Sequence, residues 1–455
     1  MYLGVPKSMV VRLGWTTLSY GAVQFLRLIN NVVLARLLAP QIFGLMAIVN
    51  AIRTGVELLT DVGISQNIIS NARGEDPAFY NTAWTLQVFR GLSLAVACFF
   101  LARPVSLFFG QPGLTPVLRV AALFFVFNGF DSTARGLLGK RLEVARYSRF
   151  EVYVTICAVI AQIAIAFLTR SVWALVLGSV VAGAVSLVAS FMFIPGLRHR
   201  FMIDRESSAQ LLRFGKWVFL SSVVYFLAMN FDRLYFAKQI TLSQLGTYGI
   251  ARALADMVSL FVARASTGVL YPTVAAAGLA SADLRQRLLR GRRTLLTMAA
   301  LGMGAFFGFS EMIVRVLYDP RYALAAEILP ILCIGVWFGI LTATNDSILM
   351  GLSRPAYPAL SNAAKLITYV VGVPLAFDFY GFTAAVTVIS AGELVKYVTL
   401  WALSHKEHLR FGRDDLVLTI VFLATALLVR DLTHLLGWTA INRVGIGGIA
   451  RSIHL

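Results

Sequence analysis

Apolar stretches of membrane-spanning length recur along the whole chain, and Arg and Lys cluster at every second junction between them. The clusters lie at 135–149, 198–216, 285–293 and 406–413, whereas the intervening junctions carry single charges such as Arg36, Arg103, Arg170 and Lys238. About 20 apolar residues cross the hydrocarbon layer as a helix, and basic loops stay on the cytoplasmic side. The alternation therefore predicts an all-α polytopic membrane protein, multi-pass, with its N-terminus cytoplasmic. Only 14% of the residues are charged and 58% are hydrophobic, against about 25% charged in a soluble domain. The net charge of +18 then belongs mostly to loops facing an anionic leaflet, so nucleic acid is not an expected partner.

Spans are expected at 13–37, 42–66, 81–102, 114–137, 151–169, 171–194, 214–237, 243–272, 294–314, 325–350, 357–377 and 380–403, with a weaker thirteenth at 415–436. The tail 437–455 is too polar for a fourteenth. Lys7 and Arg12 precede a long first span with no small-residue cleavage site, so that span is expected to stay as an anchor. External loops are short, the longest near 318–326, which leaves no room for a catalytic ectodomain. Neither a nucleophile–base arrangement nor a P-loop is present in the sequence, so neither an enzyme nor direct ATP drive is expected. Cys98, Cys157 and Cys333 lie apart in apolar runs and read as packed thiols, not metal ligands. The five histidines, His199, His405, His408, His434 and His454, read as solvated.

A shift of 202 positions pairs Trp15 with Trp217, Leu18 with Leu220, Ser19 with Ser221, Ala35 with Ala237, Gly44 with Gly246, Ile48 with Ile250 and Ala51 with Ala253. Six spans intervene, so the repeats run in the same direction, a transporter design with the substrate path between the halves. The expected organisation is a six-helix bundle at 1–196, a cytoplasmic linker at 197–213 and a second six-helix bundle at 214–404. Residues 405–455 add a cytoplasmic loop, a further helix and a tail.

Ionisable side chains inside a bilayer are costly and mark function by default. Tyr20, Gln24, Arg27 and Asn31 share one face of the first span, and Asn50, Arg53 and Glu57 one face of the second. Gln87 and Arg90 lie in the third span, Asn128 and Asp131 in the fourth, Arg252 and Asp256 in the eighth. Asn362, Lys365 and Tyr369 line the eleventh; Glu393 and Lys396 are in the twelfth. Arg53–Glu57 and Arg252–Asp256 are expected i,i+4 ion pairs. Arg135, Lys396, Asp346 and Arg264 suit interhelical pairing or snorkelling to the interface. Arg27, Arg90 and Lys365 have no carboxylate one turn away. Surplus cation at mid-membrane suggests an anionic substrate, with Arg best matched to phosphate oxygens. The expected substrate-binding set is Arg27, Arg53, Arg90, Arg252, Lys365, Gln24, Asn31 and Gln87. Glu57, Asp256 and Asp61 are coupling candidates, for a proton or sodium ion.

The segment Leu34-Ala-Arg-Leu-Leu-Ala-Pro-Gln-Ile-Phe-Gly-Leu-Met-Ala47 and the following Asp61-Val-Gly-Ile-Ser-Gln66 resemble the first two spans of the polysaccharide transporter family. These are Wzx-type flippases of the MOP exporter superfamily. Trp84-Thr-Leu-Gln-Val-Phe-Arg-Gly91 resembles its third span. Asn230-Phe-Asp-Arg233 with Leu245-Gly-Thr-Tyr-Gly-Ile-Ala251 resembles the start of its second half. The resemblance, over about 400 residues, implies two six-helix bundles in a V (a MOP/MATE-like fold) plus one or two C-terminal helices. It implies alternating access in a bacterial inner membrane, with no resident cofactor. The implied cargo is an undecaprenyl-diphosphate-linked oligosaccharide for O-antigen, exopolysaccharide or capsule. Membrane lipids, polysaccharide polymerase and export machinery are the implied partners. A lipid II flippase and a multidrug exporter of the same superfamily are the alternatives, a membrane glycosyltransferase or polymerase a more remote one.

Overall fold

The computed structural model describes residues 7–58, 60, 63–141, 143–192, 199–277, 282–352, 354, 356–405 and 412–435. Regular structure among them is helical throughout, and each of the thirteen expected spans falls on a helix or a broken helix. Long apolar segments take this form because a helix satisfies every backbone N–H and C=O within its own segment. The chain divides into two compact units, 1–249 and 250–455.

The first unit contains α1 (Lys7–Leu37), α2 (Pro40–Leu58), α3 (Ile64–Ser70), α4 (Pro77–Phe108), α5 (Leu114–Ala121), α6 (Leu123–Phe130), α7 (Ala134–Lys140), α8 (Val144–Thr169), α9 (Trp173–Met192) and α10 (Arg205–Gln239). The unit boundary falls inside α11 (Leu242–Ala277), whose first two turns belong to the first unit. α8 packs on α1 and α9, α4 on α5 and α6, and α10 on α2 and α4. The second unit continues with α12 (Ala282–Gly308), α13 (Ser310–Leu317), α14 (Ala323–Gly351), α15 (Ala356–Tyr380), α16 (Phe382–Ser404) and α17 (Gly412–Leu435). There α15 and α14 pack on α16, and α17 on α12.

Among the described residues eight helices are long and apolar enough to cross a membrane, or nine if α12 and α13, bent by 60°, form one span. α17, the span expected to be weakest, is among them. α2 falls outside because Asn50, Arg53 and Glu57 interrupt its apolar run.

Three spans differ from expectation. The second ends at Leu58 instead of continuing to 66, and Gly63 takes a left-handed conformation (φ 64°) before α3 begins, a backbone state that side chains disfavour. The fourth is broken at Ala122 and stops at Phe130, where Asp131 leaves the helical region. The ninth bends at Phe309.

The two segments quoted from the start of the second half meet directly, since the Tyr248 hydroxyl donates to the buried Asp232 carboxylate. Cys98 and Cys333 are buried and Cys157 is half-buried.

Candidate functional site

In the first unit, α2, α3, α4 and α6 line an open cavity of about 200 Å³ whose polar lining includes Glu57, Gln66, Gln87, Arg90 and Asn128. A close approach of two helices builds its floor. A Cβ on Gly91 would lie 2.6 Å from the Cα of Gly129, so only glycine lets α4 and α6 touch there. That proximity lets Gln87 Nε2 donate to the carbonyls of Asn128, Gly129 and Asp131 at 3.1, 3.2 and 2.9 Å. These are carbonyls that the end of α6 leaves without helical partners.

Arg90 serves the end of α2 in the same manner. Its Nη2 donates to the Glu57 carbonyl at 2.6 Å and its Nε to Thr60 Oγ1 at 3.1 Å, which sets a cation at the negative helix terminus. Glu57 Oε1 accepts from Asn128 Nδ2 at 3.2 Å. The Arg53 guanidinium lies over the Phe124 ring, 4.3 Å from its centre, and Arg53 Nε is buried without a hydrogen-bond partner. Each of the two thus also touches α6, Arg53 through Phe124 and Glu57 through Asn128, while Glu57 stays near enough to act electrostatically on Arg53.

Along α1, Gln24 Nε2 donates to the Tyr20 hydroxyl at 2.7 Å, and Arg27 is exposed. Asn31 keeps a buried Oδ1 without a partner. Asp61 lies outside the described residues, as do the Arg135 side chain and the tail 436–455.

The remaining candidates belong to a buried charge network in the second unit. Arg252 Nε meets Asp256 Oδ2 at 3.1 Å, as the spacing predicts, and Arg252 Nη2 lies 3.9 Å from Glu393 Oε1. Lys365 is fully buried and its Nζ is 2.5 Å from the same Glu393 oxygen. Lys365 therefore has a carboxylate, on α16 instead of one turn away. Lys396 reaches Asp346 Oδ2 at 3.3 Å, which is the interhelical pairing expected for both. Three cations face three anions on α11, α14, α15 and α16, and Asp346 Oδ1 is left buried without a partner.

Two features carried no recognisable sequence signal. Arg292, in a basic cluster expected to be a loop, is 2% exposed and bonds Asp415 at 2.7 Å and Asn345 at 2.9 Å. This pair ties α17 to α12 and α14. His199, expected to be solvated, stacks on Trp84 with centroids 5.1 Å apart and bonds Ser132 Oγ at 2.7 Å. Burial pushes its pKa down to about 4. Among the described residues no three His, Cys, Asp or Glu side chains converge as metal ligands would.

A profile of the polysaccharide biosynthesis protein family matches residues 33–328. The succinoglycan biosynthesis transport protein ExoT of Rhizobium meliloti (strain 1021) is 22% identical, over 75% of this chain and 68% of its own. The lipopolysaccharide biosynthesis protein WzxC of Escherichia coli (strain K12) is 24% identical, over 81% and 75%. Among solved structures, the lipid II flippase MurJ in an inward closed conformation superposes with TM-score 0.76 at 13% identity, over 94% of this chain and 98% of its own. An inward-facing multidrug resistance MATE family transporter of the MOP superfamily gives 0.69 at 13% identity, over 88% and 98%. The chain is thus a multi-pass membrane protein with the fold of MOP transporters, and it belongs to the polysaccharide biosynthesis protein family.

Proposed function

We propose that this protein flips undecaprenyl-diphosphate-linked oligosaccharide repeat units from the cytoplasmic to the periplasmic leaflet of a bacterial inner membrane, without catalysis. The observation that carries this reading is the polar cavity between α2, α3, α4 and α6, where Arg90 and three carboxamides line a pocket within apolar helices. A diphosphate crossing the apolar layer loses its hydration, and arginine forks replace it with charge-assisted hydrogen bonds. Arg53, beside the cavity with an unsatisfied Nε, and the exposed Arg27 are the first unit's further phosphate donors. Arg252 is the second unit's donor. Gln24, Asn31 and Gln87 take the sugar. Lys365, committed to Glu393, contributes by holding Arg252's carboxylate neighbour in place.

The halves 1–196 and 214–404 then act as the two bundles of an alternating-access cycle, joined by the linker 197–213 on the cytoplasmic side. Glu57 and Asp256 are the coupling carboxylates for a proton or sodium ion, Asp61 a third. A polysaccharide polymerase receives the flipped unit. Similarity to named relatives supports the class of cargo and leaves the sugar open.

The test is genetic and chemical together. Deleting the gene should block polymer export and accumulate the lipid-linked intermediate in the cytoplasmic leaflet. Arg53→Ala and Arg252→Ala, expressed at normal levels, should fail to restore export. Accumulation of lipid II instead of a polymer precursor would refute the assigned cargo.

A further inference from the structure

Residues 199–204 form a strap along the start of α4. Every second backbone N–H donates to a buried side chain of that helix: Arg200 to Asn81 Oδ1 at 2.9 Å, Met202 to Thr85 Oγ1 at 3.0 Å and Asp204 to Thr82 Oγ1 at 3.0 Å. Asp204 then caps α10 by accepting from the Ser207 N–H at 2.8 Å. His199 anchors the other end on Trp84 and packs edge-on against Phe191 of α9. The strap is thus held by alternate backbone N–H groups and the His199 side chain, which leaves much of residues 201–203 exposed.

Those side chains are three consecutive large apolar residues. Phe201 and Ile203 are each 65% exposed and Met202 is 44% exposed, whereas a soluble loop avoids such a run. The strap meets α9 through His199 and Phe191, and on α9 Val188, Phe191 and Met192 are exposed at helical spacing. That face belongs to a membrane-spanning helix and meets lipid. Arg200 and Arg205, both exposed, flank the apolar triplet, and Phe201 packs on the buried Trp84 ring. Exposed apolar residues between exposed arginines match the interfacial zone of a bilayer. Arginine side chains there attract anionic headgroups.

We propose that the strap is a membrane-interface anchor: Phe201, Met202 and Ile203 enter the headgroup–acyl boundary while Arg200 and Arg205 bind anionic lipid. The occupant is the leaflet itself, committed by the strap's contact with the membrane-spanning α9 and by charge.

The test uses the full chain in vesicles of phosphatidylcholine with or without phosphatidylglycerol. Ile203→Cys and, separately, Phe201→Cys are labelled with an environment-sensitive fluorophore in a Cys157→Ala background, where the buried Cys98 and Cys333 stay unreactive. Blue-shifted emission is expected, with quenching by lipids brominated near the headgroup and loss of quenching by aqueous iodide. Lipid quenching should rise with phosphatidylglycerol, and Arg200→Gln with Arg205→Gln should abolish that rise. Free access of iodide at both positions would overturn the proposal. So would protection from iodide without lipid quenching, which would mean that protein covers the strap.

Discussion

Gly44 and Gly246 sit at one crossing of α2 and α11, each against the backbone of the other's helix. A Cβ on Gly44 would overlap the Leu242 carbonyl, and a Cβ on Gly246 would overlap that of Pro40. These four residues obey the 202-residue shift, Pro40 pairing with Leu242 and Gly44 with Gly246. The two contacts are reciprocal: each glycine lies against a carbonyl of the other's helix. Gly44→Leu and Gly246→Leu should each cost about 1–3 kcal/mol by overpacking. Thermal unfolding in detergent measures the loss, and similar losses are expected because a Cβ at either position would overlap a carbonyl oxygen to a similar degree.

The Lys365–Glu393 pair makes a sharper demand. Removing one member leaves an uncompensated buried charge, so Lys365→Met should destabilise by about 3–5 kcal/mol. Adding Glu393→Gln should recover part of that loss, less any cost to Arg252, which shares the carboxylate. Stable transport by the double variant would exclude Lys365 as a direct phosphate ligand.

Arg90 both caps α2 and lines the cavity. Arg90→Ala removes the shortest hydrogen bond to the Glu57 carbonyl and leaves it the longer ones from Thr60 at 3.3 and 3.4 Å, so it should cost about 0.5–1.5 kcal/mol, with export lost. Arg90→Lys keeps the charge but not the fork that spans Thr60 and the carbonyl, so intermediate export is expected. Equal export by Lys and Arg would mean that charge alone matters there.

Arg292–Asp415 should govern how firmly α17 is held. Asp415→Asn weakens a pair that is almost fully buried, with Tyr397 donating to the same carboxylate at 2.9 Å. Hydrogen exchange across 412–435 should accelerate in this variant while exchange across α15 stays unchanged.

His199 predicts a pH dependence. Its pKa in the folded protein is about 4, against an ordinary 6.5, so on acidification the unfolded chain takes the proton first. The stability it contributes is complete above 6.5 and is lost as pH falls toward 4. Its neighbours Ser132, Trp84, Tyr80 and Phe191 carry no charge in this window. The melting temperature should drop by a few degrees across that interval, and His199→Phe should flatten the drop.

The helical architecture, the placing of each expected span on a helix or broken helix, and the family were legible in sequence. Segment length, hydropathy and the side of basic residues are local properties, and a bilayer reads them segment by segment. Neighbours on one helix were legible for the same reason: Arg252 and Asp256 meet because four residues make one turn. What lay beyond reach was the partner contributed by another helix. Lys365 looked uncompensated until α16 brought Glu393 beside it, Arg53 gained the Phe124 ring, and Arg292 left its basic cluster for Asp415. Such pairings depend on how each helix is rotated and how closely it approaches its neighbour. The rotation that faces Glu393 toward Lys365 is set by packing along the whole length of α15 and α16, so only the tertiary structure decided it.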